Sequence, residues 1–179
     1  MSVDMNMIKV GPAGGQKGTV WDEKGKGQIA KIFVSYGGQI CSLQFLFVEN
    51  DKFVLSDIHV AEHNKNFTTV VLDYPSEFLT CIRGSYEIET RNYSLTYTRS
   101  ITFGTNKGSY GPYGMNTASS GTNYVDFKFE IGDDRSFGGF HGTKSDCRIR
   151  SIGVYVKPIT SSMIASTDSQ VKVKRKEED

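Results

Sequence analysis

The stretch RSITFGTNKGSYGPYG, residues 99–114, carries the pattern on which the prediction of the fold depends. Polar and apolar residues alternate around Ile101 and Phe103, which indicates a β-strand with one buried face. Glycine, asparagine and Pro112 then crowd the second half, where they predict turns. Because proline cannot donate a hydrogen bond within a sheet, we expect residues 110–114 to form a loop and not a central strand.

Short β runs of the same kind recur on both sides of this stretch, from residue 8 to about residue 158. No helical periodicity lies between them, and turn residues separate them at regular intervals. This pattern predicts a closed or prism-like all-β architecture. The predicted strands cover residues 29–36, 40–48, 53–55, 69–72, 78–83, 86–89, 95–103, 125–131 and 149–157.

Length and composition narrow the class of protein. The chain has 179 residues, the length of one domain, and a formal net charge of +1. Such a charge gives no argument for a nucleic-acid or membrane partner, and no apolar run approaches transmembrane length. Three cysteines, without zinc-ligand spacing, predict free thiols in a reducing compartment. The N-terminus lacks the apolar region of a secretory signal, so we expect a protein that is not secreted.

The composition changes after Pro158. Residues 160–170 are rich in serine, threonine and alanine, and the chain ends in a lysine-rich run followed by Glu-Glu-Asp. We therefore predict an N-terminal extension over 1–7, one folded domain over 8–158, and a disordered charged tail over 159–179. The basic run could be a nuclear signal or a docking patch, but a solubilising tail is the favoured interpretation.

Three segments in order resemble the jacalin-related lectin family. They are KVGPAGGQKGTVWDEKG (9–25), the stretch 99–114, and FGGFHG (137–142) with SIGVYVKP (151–158) behind it. The resemblance implies a β-prism of three four-stranded Greek-key sheets around a pseudo-threefold axis. It also implies sugar binding at one end of the prism, with no metal or other cofactor, and a homo-oligomer.

The uncleaved chain resembles the mannose-type branch of this family, which implies a cytoplasmic protein that can also be nuclear. Within the branch, the runs DKFVLSD (51–57) and GGFHGT (138–143) are most similar to plant jacalin-domain proteins that restrict long-distance movement of potyviruses. The ligand that this branch implies is a mannose-type glycan.

Two of the three loops that form the family's sugar site can be placed in this sequence. In the first loop the resemblance implies that Gly14, Gly15 and Gly18 bring the backbone close to the sugar; turn geometry alone is an equally good reason for these glycines. The second loop precedes residue 96. There Tyr93 would stack on the sugar and Ser94 and Leu95 would supply backbone contacts, although an exposed turn is slightly favoured.

The third loop departs from the family. Its members carry Gly-x-x-x-Asp before the last strand, and the aspartate holds the sugar; here the two positions are Asp146 and Arg150, in the run DCRIR. An arginine cannot accept hydrogen bonds from sugar hydroxyls. Arg148 and Arg150 could bind an acidic or sulfated glycan, or Asp146, next to Cys147, could act as acceptor from a new position. We favour a third outcome, in which Asp146 pairs with Arg150 and fills the pocket.

No set of residues indicates catalysis or a metal. His59 and His63 have the spacing of zinc ligands, but no third ligand is indicated, so a loop pair of histidines is the favoured reading. We therefore expect a non-enzymatic jacalin-type lectin with an altered sugar site and a role in plant defence or stress. The alternative is a sugar-blind jacalin domain that binds proteins in antiviral restriction.

Overall fold

A computed structural model of the protein describes residues 6–60, 66–88, 96–115, 123–133 and 135–159. Within these ranges the chain forms strands and turns, and it contains no helix that could span a membrane. The strands are β1 (Ile8–Gly14), β2 (Thr19–Lys24), β3 (Gln28–Tyr36), β4 (Ile40–Glu49), β5 (Lys52–Leu55), β6 (Asn66–Val71), β7 (Leu79–Ile88), β8 (Thr96–Thr105), β9 (Ser109–Gly114), β10 (Asn123–Glu130), β11 (Phe137–Lys144) and β12 (Ile149–Val156).

The strands form three four-stranded antiparallel sheets. Sheet I has the order β1-β12-β11-β2, sheet II the order β5-β4-β3-β6, and sheet III the order β10-β7-β8-β9. Sheets II and III are each built from one continuous segment of chain. Sheet I joins the first two strands to the last two. This arrangement confirms the predicted β-prism of three four-stranded sheets.

The core lies where the inner faces of the three sheets meet. Each sheet contributes fully buried phenylalanines: Phe140 from sheet I, Phe45 and Phe47 from sheet II, and Phe103 from sheet III. The rings of Phe45 and Phe140 stack with their centroids 4.5 Å apart and their planes 8° from parallel. Alternate residues of the strands therefore pack into one shared core, as the period-two pattern indicated.

Two predictions about glycine and proline are wrong in detail. We expected a break between strands at Gly84, but β7 continues through it. A Cβ at Gly84 would lie 2.0 Å from the carbonyl oxygen of Ser100, so this glycine lets β8 approach closely within the sheet.

Residues 110–114 were expected to form a loop, but they belong to β9. Pro112 is accommodated there because β9 is the edge strand of sheet III.

The three cysteines keep their thiols and form no disulfide, as predicted; Cys41 and Cys81 are buried and Cys147 is partly exposed. Each lies in a described range, so the statement covers every cysteine of the chain.

His59 lies in the connection between β5 and β6, where the sequence placed it, and its side chain is buried in the core. Its Nε2 lies 2.9 Å from Oε1 of Glu23, and its ring stacks on Trp21 at a centroid distance of 4.4 Å. Burial lowers the pKa of His59 from 6.5 to about 4, and burial also raises the pKa of Glu23. His63 lies outside the described residues.

We predict that Phe45→Ala lowers the free energy of unfolding by about 3–5 kcal/mol, because it removes a fully buried ring and leaves a cavity between two sheets. Urea unfolding measures the change. The matched control is Val20→Ala, since Val20 is 69% exposed, and it should stay within about 0.5 kcal/mol of the wild type. Equal losses in the two variants would contradict the central position of Phe45.

His59 should make stability depend on pH. The folded state keeps its imidazole neutral down to about pH 4, whereas the unfolded chain protonates it near 6.5. The stability that neutral His59 provides is therefore complete above pH 6.5 and is lost as the pH falls toward 4. Against His59→Gln, which keeps Glu23, we expect the wild type to lose about 2 kcal/mol across this window. Parallel curves of unfolding free energy against pH for the two proteins would rule this out.

Candidate functional site

The loop between β1 and β2 meets the beginning of β12 at one end of the prism. The amide of Gly15 donates a hydrogen bond to the carbonyl oxygen of Arg150 at 3.1 Å. The hydroxyl of Thr143, on β11, donates to the carbonyl oxygen of Gly15 and lies 2.8 Å from the hydroxyl of Ser151. The first and third loops predicted from the sequence are thus neighbours, joined through the backbone of Gly15.

The glycines of the first loop permit this close approach. Gly14 and Gly18 have φ angles of +111° and +115°, which side-chain-bearing residues rarely adopt. A Cβ at Gly14 would lie 2.5 Å from the carbonyl oxygen of Arg150, and a Cβ at Gly18 would lie 2.4 Å from that of Lys144. At Gly15 the nearest atom to an added Cβ would be Cβ of Thr96, at 3.0 Å. Backbone geometry therefore favours glycine at Gly14 and Gly18, close packing against Thr96 favours it at Gly15, and their contact with a sugar stays a prediction.

The two arginines of the third loop lie against one tyrosine of sheet III. The guanidinium carbons of Arg148 and Arg150 are 5.0 Å and 5.5 Å from the ring centroid of Tyr97, within the range of cation–π attraction. The sequence reasoning did not select Tyr97. Its position directly after the predicted second loop is the signal that could have identified it, since Tyr97 follows Thr96 at the start of β8.

Asp146 is exposed at the tip of the third loop. The amide of Ser145 closes this loop by donating to the carbonyl oxygen of Arg148 at 2.9 Å, and the hydroxyl of Ser145 lies 3.9 Å from the sulfur of Cys147. The expected Asp146–Arg150 ion pair is not among the ion pairs between described residues. Pairing of Asp146 with Arg150 stays a prediction.

The second loop cannot be compared in the same way, because Tyr93, Ser94 and Leu95 lie outside the described residues. The root of that loop is described, and it places Thr96 and Tyr97 beside the other two loops. The groups that meet at this end of the prism are therefore backbone amides, hydroxyls, one tyrosine ring and two guanidinium groups.

No metal site accompanies them: the described part of the chain contains no group of three or more histidine, cysteine, aspartate or glutamate side chains that could hold an ion. A groove of about 460 Å³, lined by Arg83, Arg99, Tyr124, Lys128 and their neighbours, lies across sheet III and is not part of this end. The chemistry available at the loops is hydrogen bonding and charge attraction.

We predict that Gly14→Ala lowers the free energy of unfolding by about 1–3 kcal/mol, because it combines an unfavourable φ angle with a clash against a backbone oxygen. Gly108→Ala is the matched control. An added Cβ there meets no atom within 4 Å, so its effect should stay within about 0.5 kcal/mol. Thermal or urea unfolding of the two variants measures the difference between their unfolding free energies. Equal values would show that the first loop can move away from β12 at no cost in stability.

Comparison with known proteins gives a consistent result. Residues 10–155 match the model of the jacalin-like lectin domain. The chain is 40% identical to Protein RESTRICTED TEV MOVEMENT 1 of Arabidopsis thaliana, over 86% of this chain and 88% of that protein. It is 37% identical to Jacalin-related lectin 2 of the same plant, over 84% of this chain and 86% of that protein.

Solved structures agree with these sequence relatives. The mannose-specific jacalin-related lectin from Morus nigra, in complex with mannose, superposes with a TM-score of 0.75 at 26% identity, over 88% of this chain and 99% of that one. The mannose-binding lectin from Champedak gives 0.74 at 28% identity, over 88% of this chain and 100% of that one.

Proposed function

Because the chain belongs to the jacalin-like lectin family, we propose that it binds carbohydrate, without catalysis, at the end of the prism where the β1–β2 and β11–β12 loops meet. Two solved relatives are described as mannose-binding or mannose-specific, which supports a sugar as the ligand class. The amide of Gly15 is already used in its hydrogen bond to Arg150, but each carbonyl oxygen there has two lone pairs and can also accept from a sugar hydroxyl.

We further propose that this site prefers a saccharide that carries a carboxylate or a sulfate. The observation that carries the proposal is the pair of guanidinium groups, from Arg148 and Arg150, beside the ring of Tyr97. Guanidinium groups only donate hydrogen bonds, and their planar fork matches carboxylate and sulfate oxygens. Both guanidinium groups lie within cation–π distance of the ring of Tyr97, which brings two positive charges close together at this end of the prism. Asp146, exposed beside them, can still accept from a hydroxyl.

Binding to a panel of glycans tests this proposal. The panel should contain neutral mannosides, oligosaccharides with uronic acids, and sulfated oligosaccharides. We expect the acidic members to bind and the neutral mannosides to bind more weakly. Arg150→Gln should weaken acidic binding by about 10-fold or more, since charge-assisted hydrogen bonds contribute about 1.5–3 kcal/mol each.

Arg83→Gln is the matched control, because Arg83 is an exposed arginine on sheet III, away from the loops. It should leave glycan binding unchanged. Binding of neutral mannosides that is lost in Asp146→Ala would show that Asp146 acts as the acceptor, and would overturn the preference for acidic sugars.

A second candidate function is a sugar-blind domain that binds proteins in antiviral restriction. The observation that favours it is the 40% identity to a relative whose name refers to restricted TEV movement. Arg150 at the position of the family's aspartate is compatible with a lost sugar site. Three results together would support this function over the first. No glycan of the panel would bind, the protein would not be retained on mannose-agarose, and it would restore restriction in an Arabidopsis line that lacks that relative.

Under either function we propose a role in plant defence or stress, exercised in the cytoplasm and nucleus. The similarity to Arabidopsis proteins supports the plant setting, and the location is carried over from the sequence prediction. Fluorescent fusions at either end of the chain would locate the protein, and exclusive labelling of the secretory pathway would contradict the proposal.

A further inference from the structure

The outer face of sheet III carries a groove of about 460 Å³, a volume within the usual range of small-ligand sites. Its floor consists of short hydroxyl side chains, Ser85, Ser100 and Thr102, which β7 and β8 place on the outer side of the sheet. Longer side chains of β7 and β10 stand around this floor. The groove therefore results from the difference in size between neighbouring outward side chains.

The groups that line the groove follow one another along the strands. Tyr124, Asp126 and Lys128 occupy alternate positions of β10, so they point to the same side of the sheet. Asp126 is paired with Ser85, and Lys128 is paired with Arg83. Each residue of a strand advances the chain by about 3.3 Å, which puts Tyr124 and Lys128 about 13 Å apart. The groove thus has an aromatic ring at one end, a carboxylate and hydroxyls in the middle, and two cations at the other end.

The aromatic end of the groove is held in place by a buried cation. A register shift in the β7–β8 pairing makes Arg99 an extra residue of β8. Its guanidinium carbon lies 5.5 Å from the ring centroid of Tyr124, and its Nε donates to the carbonyl oxygen of Met115 at 3.2 Å. Arg99 is fully buried, whereas Tyr124 is 44% exposed. The ring is therefore fixed by the protein and still presents surface on which a ligand ring can stack, an interaction that every nucleobase can make.

The middle of the groove suits the hydroxyls of a ribose. Asp126 is the one carboxylate among the described residues that line the groove. A carboxylate can accept from two neighbouring hydroxyls, as acidic residues do with ribose in dinucleotide-binding sites. The hydroxyls of Ser85 and Ser100 lie 2.8 Å apart. Because one of them donates to the other, the second keeps its proton for an oxygen atom of a ligand.

The cationic end of the groove suits a phosphate. The guanidinium fork of Arg83 matches phosphate oxygens, and the hydroxyl of Thr102, the partner of Arg83 on β8, can donate to the same group. Nζ of Lys128 lies 2.5 Å from Oε2 of Glu130, but both side chains are more than half exposed. Exposed pairs of this kind contribute little to stability, so a phosphate can compete for Lys128.

We propose that the groove of sheet III binds a mononucleotide. The base stacks on Tyr124, the ribose hydroxyls donate to Asp126, and the phosphate contacts Arg83 and Lys128. The order of the three kinds of group carries the proposal, since an inorganic anion would use only the cationic end and a neutral saccharide would leave that end without a partner. This site is separate from the loops at the end of the prism, so it goes beyond the carbohydrate binding proposed there.

Isothermal titration calorimetry of the full chain with AMP tests the proposal. We expect a dissociation constant between about 1 µM and about 100 µM. Tyr124→Ala should weaken AMP binding about 10-fold or more because stacking is lost, and Arg83→Gln should weaken it about 10-fold because a charge-assisted hydrogen bond is lost. Arg150→Gln is the matched control, since it removes a guanidinium group at the loops and should leave AMP binding unchanged.

Three further ligands separate the parts of the groove. Inorganic phosphate and adenosine each lack one part of AMP, and each should bind at least about 10-fold more weakly. The 2′,3′-dideoxy form of AMP lacks the ribose hydroxyls. The wild type should bind AMP about 10-fold more tightly than this form, and Asp126→Ala should lose the preference.

Nuclear magnetic resonance of the wild type provides a readout that does not depend on the folding of a variant. AMP should shift the backbone amide signals of β7, β8 and β10 and leave those of residues 144–150 unchanged. No binding of AMP up to about 1 mM, or equal affinities for AMP and inorganic phosphate, overturns the proposal. So does AMP binding that Arg150→Gln abolishes, because the nucleotide would then lie at the loops.

Discussion

The three sheets of this protein share one core, and no sheet has a second layer of its own to pack against. A four-stranded sheet with one apolar face is not stable alone in water, so each sheet depends on the inner faces of the other two. Phe45, Phe103 and Phe140, one from each sheet, occupy the place where the faces meet. Because the inner faces pack against one another, the loops lie at the ends of the prism. The outer faces of the three sheets take no part in the core, so their side chains can differ from sheet to sheet.

That freedom explains why three sheets with the same pairing carry different surfaces. Sheet III presents charged and hydroxyl side chains, and sheet II presents phenylalanine, leucine and valine. The inner positions cannot vary in this way, because each one fills space in a core shared by the three sheets. The outer surfaces of the sheets can therefore change without disturbing the core.

Alternating strands could be read from the sequence, and glycine-rich strands could not. The strands over 29–36 and 40–48 were placed within one residue of their observed limits, because half-buried strands alternate strictly. β9 was missed as a strand because Gly111 and Pro112 imitate a loop, and the break placed at Gly84 was wrong for the same reason. In both places glycine or proline serves packing or an edge position, which a sequence pattern does not distinguish from a turn. The limits of the predicted extension and tail stay predictions.

The candidate site was only partly accessible to sequence reasoning. Counting back from the last strand identified Arg150, and the resemblance pointed to Gly14, Gly15 and Gly18, which do meet Arg150 or its neighbours. Tyr97 was missed because its contact with two arginines joins residues about fifty positions apart, from different sheets. Pairing between Asp146 and Arg150 was favoured from proximity in sequence and stays a prediction; the contact of Arg150 with Tyr97 could not be read from that proximity. Gly14, Gly15 and Gly18 allow the close approach of the loops, and their contact with a sugar stays a prediction.

Sheet I also determines when the fold can be completed during synthesis. Ile8 pairs with Val156, so the first strand of the domain cannot pair in its sheet until the last strand has been synthesised. Sheets II and III lie within 28–71 and 79–130 and can pair as soon as those segments leave the ribosome, but their inner faces stay uncovered until β11 and β12 arrive. Contacts of this sequence separation slow folding and prolong the exposure of apolar surface. Because the first and last strands of the domain are paired, the domain is suited to circular permutation. A linker would join β12 to β1, and new termini would be opened in the hairpin between β4 and β5.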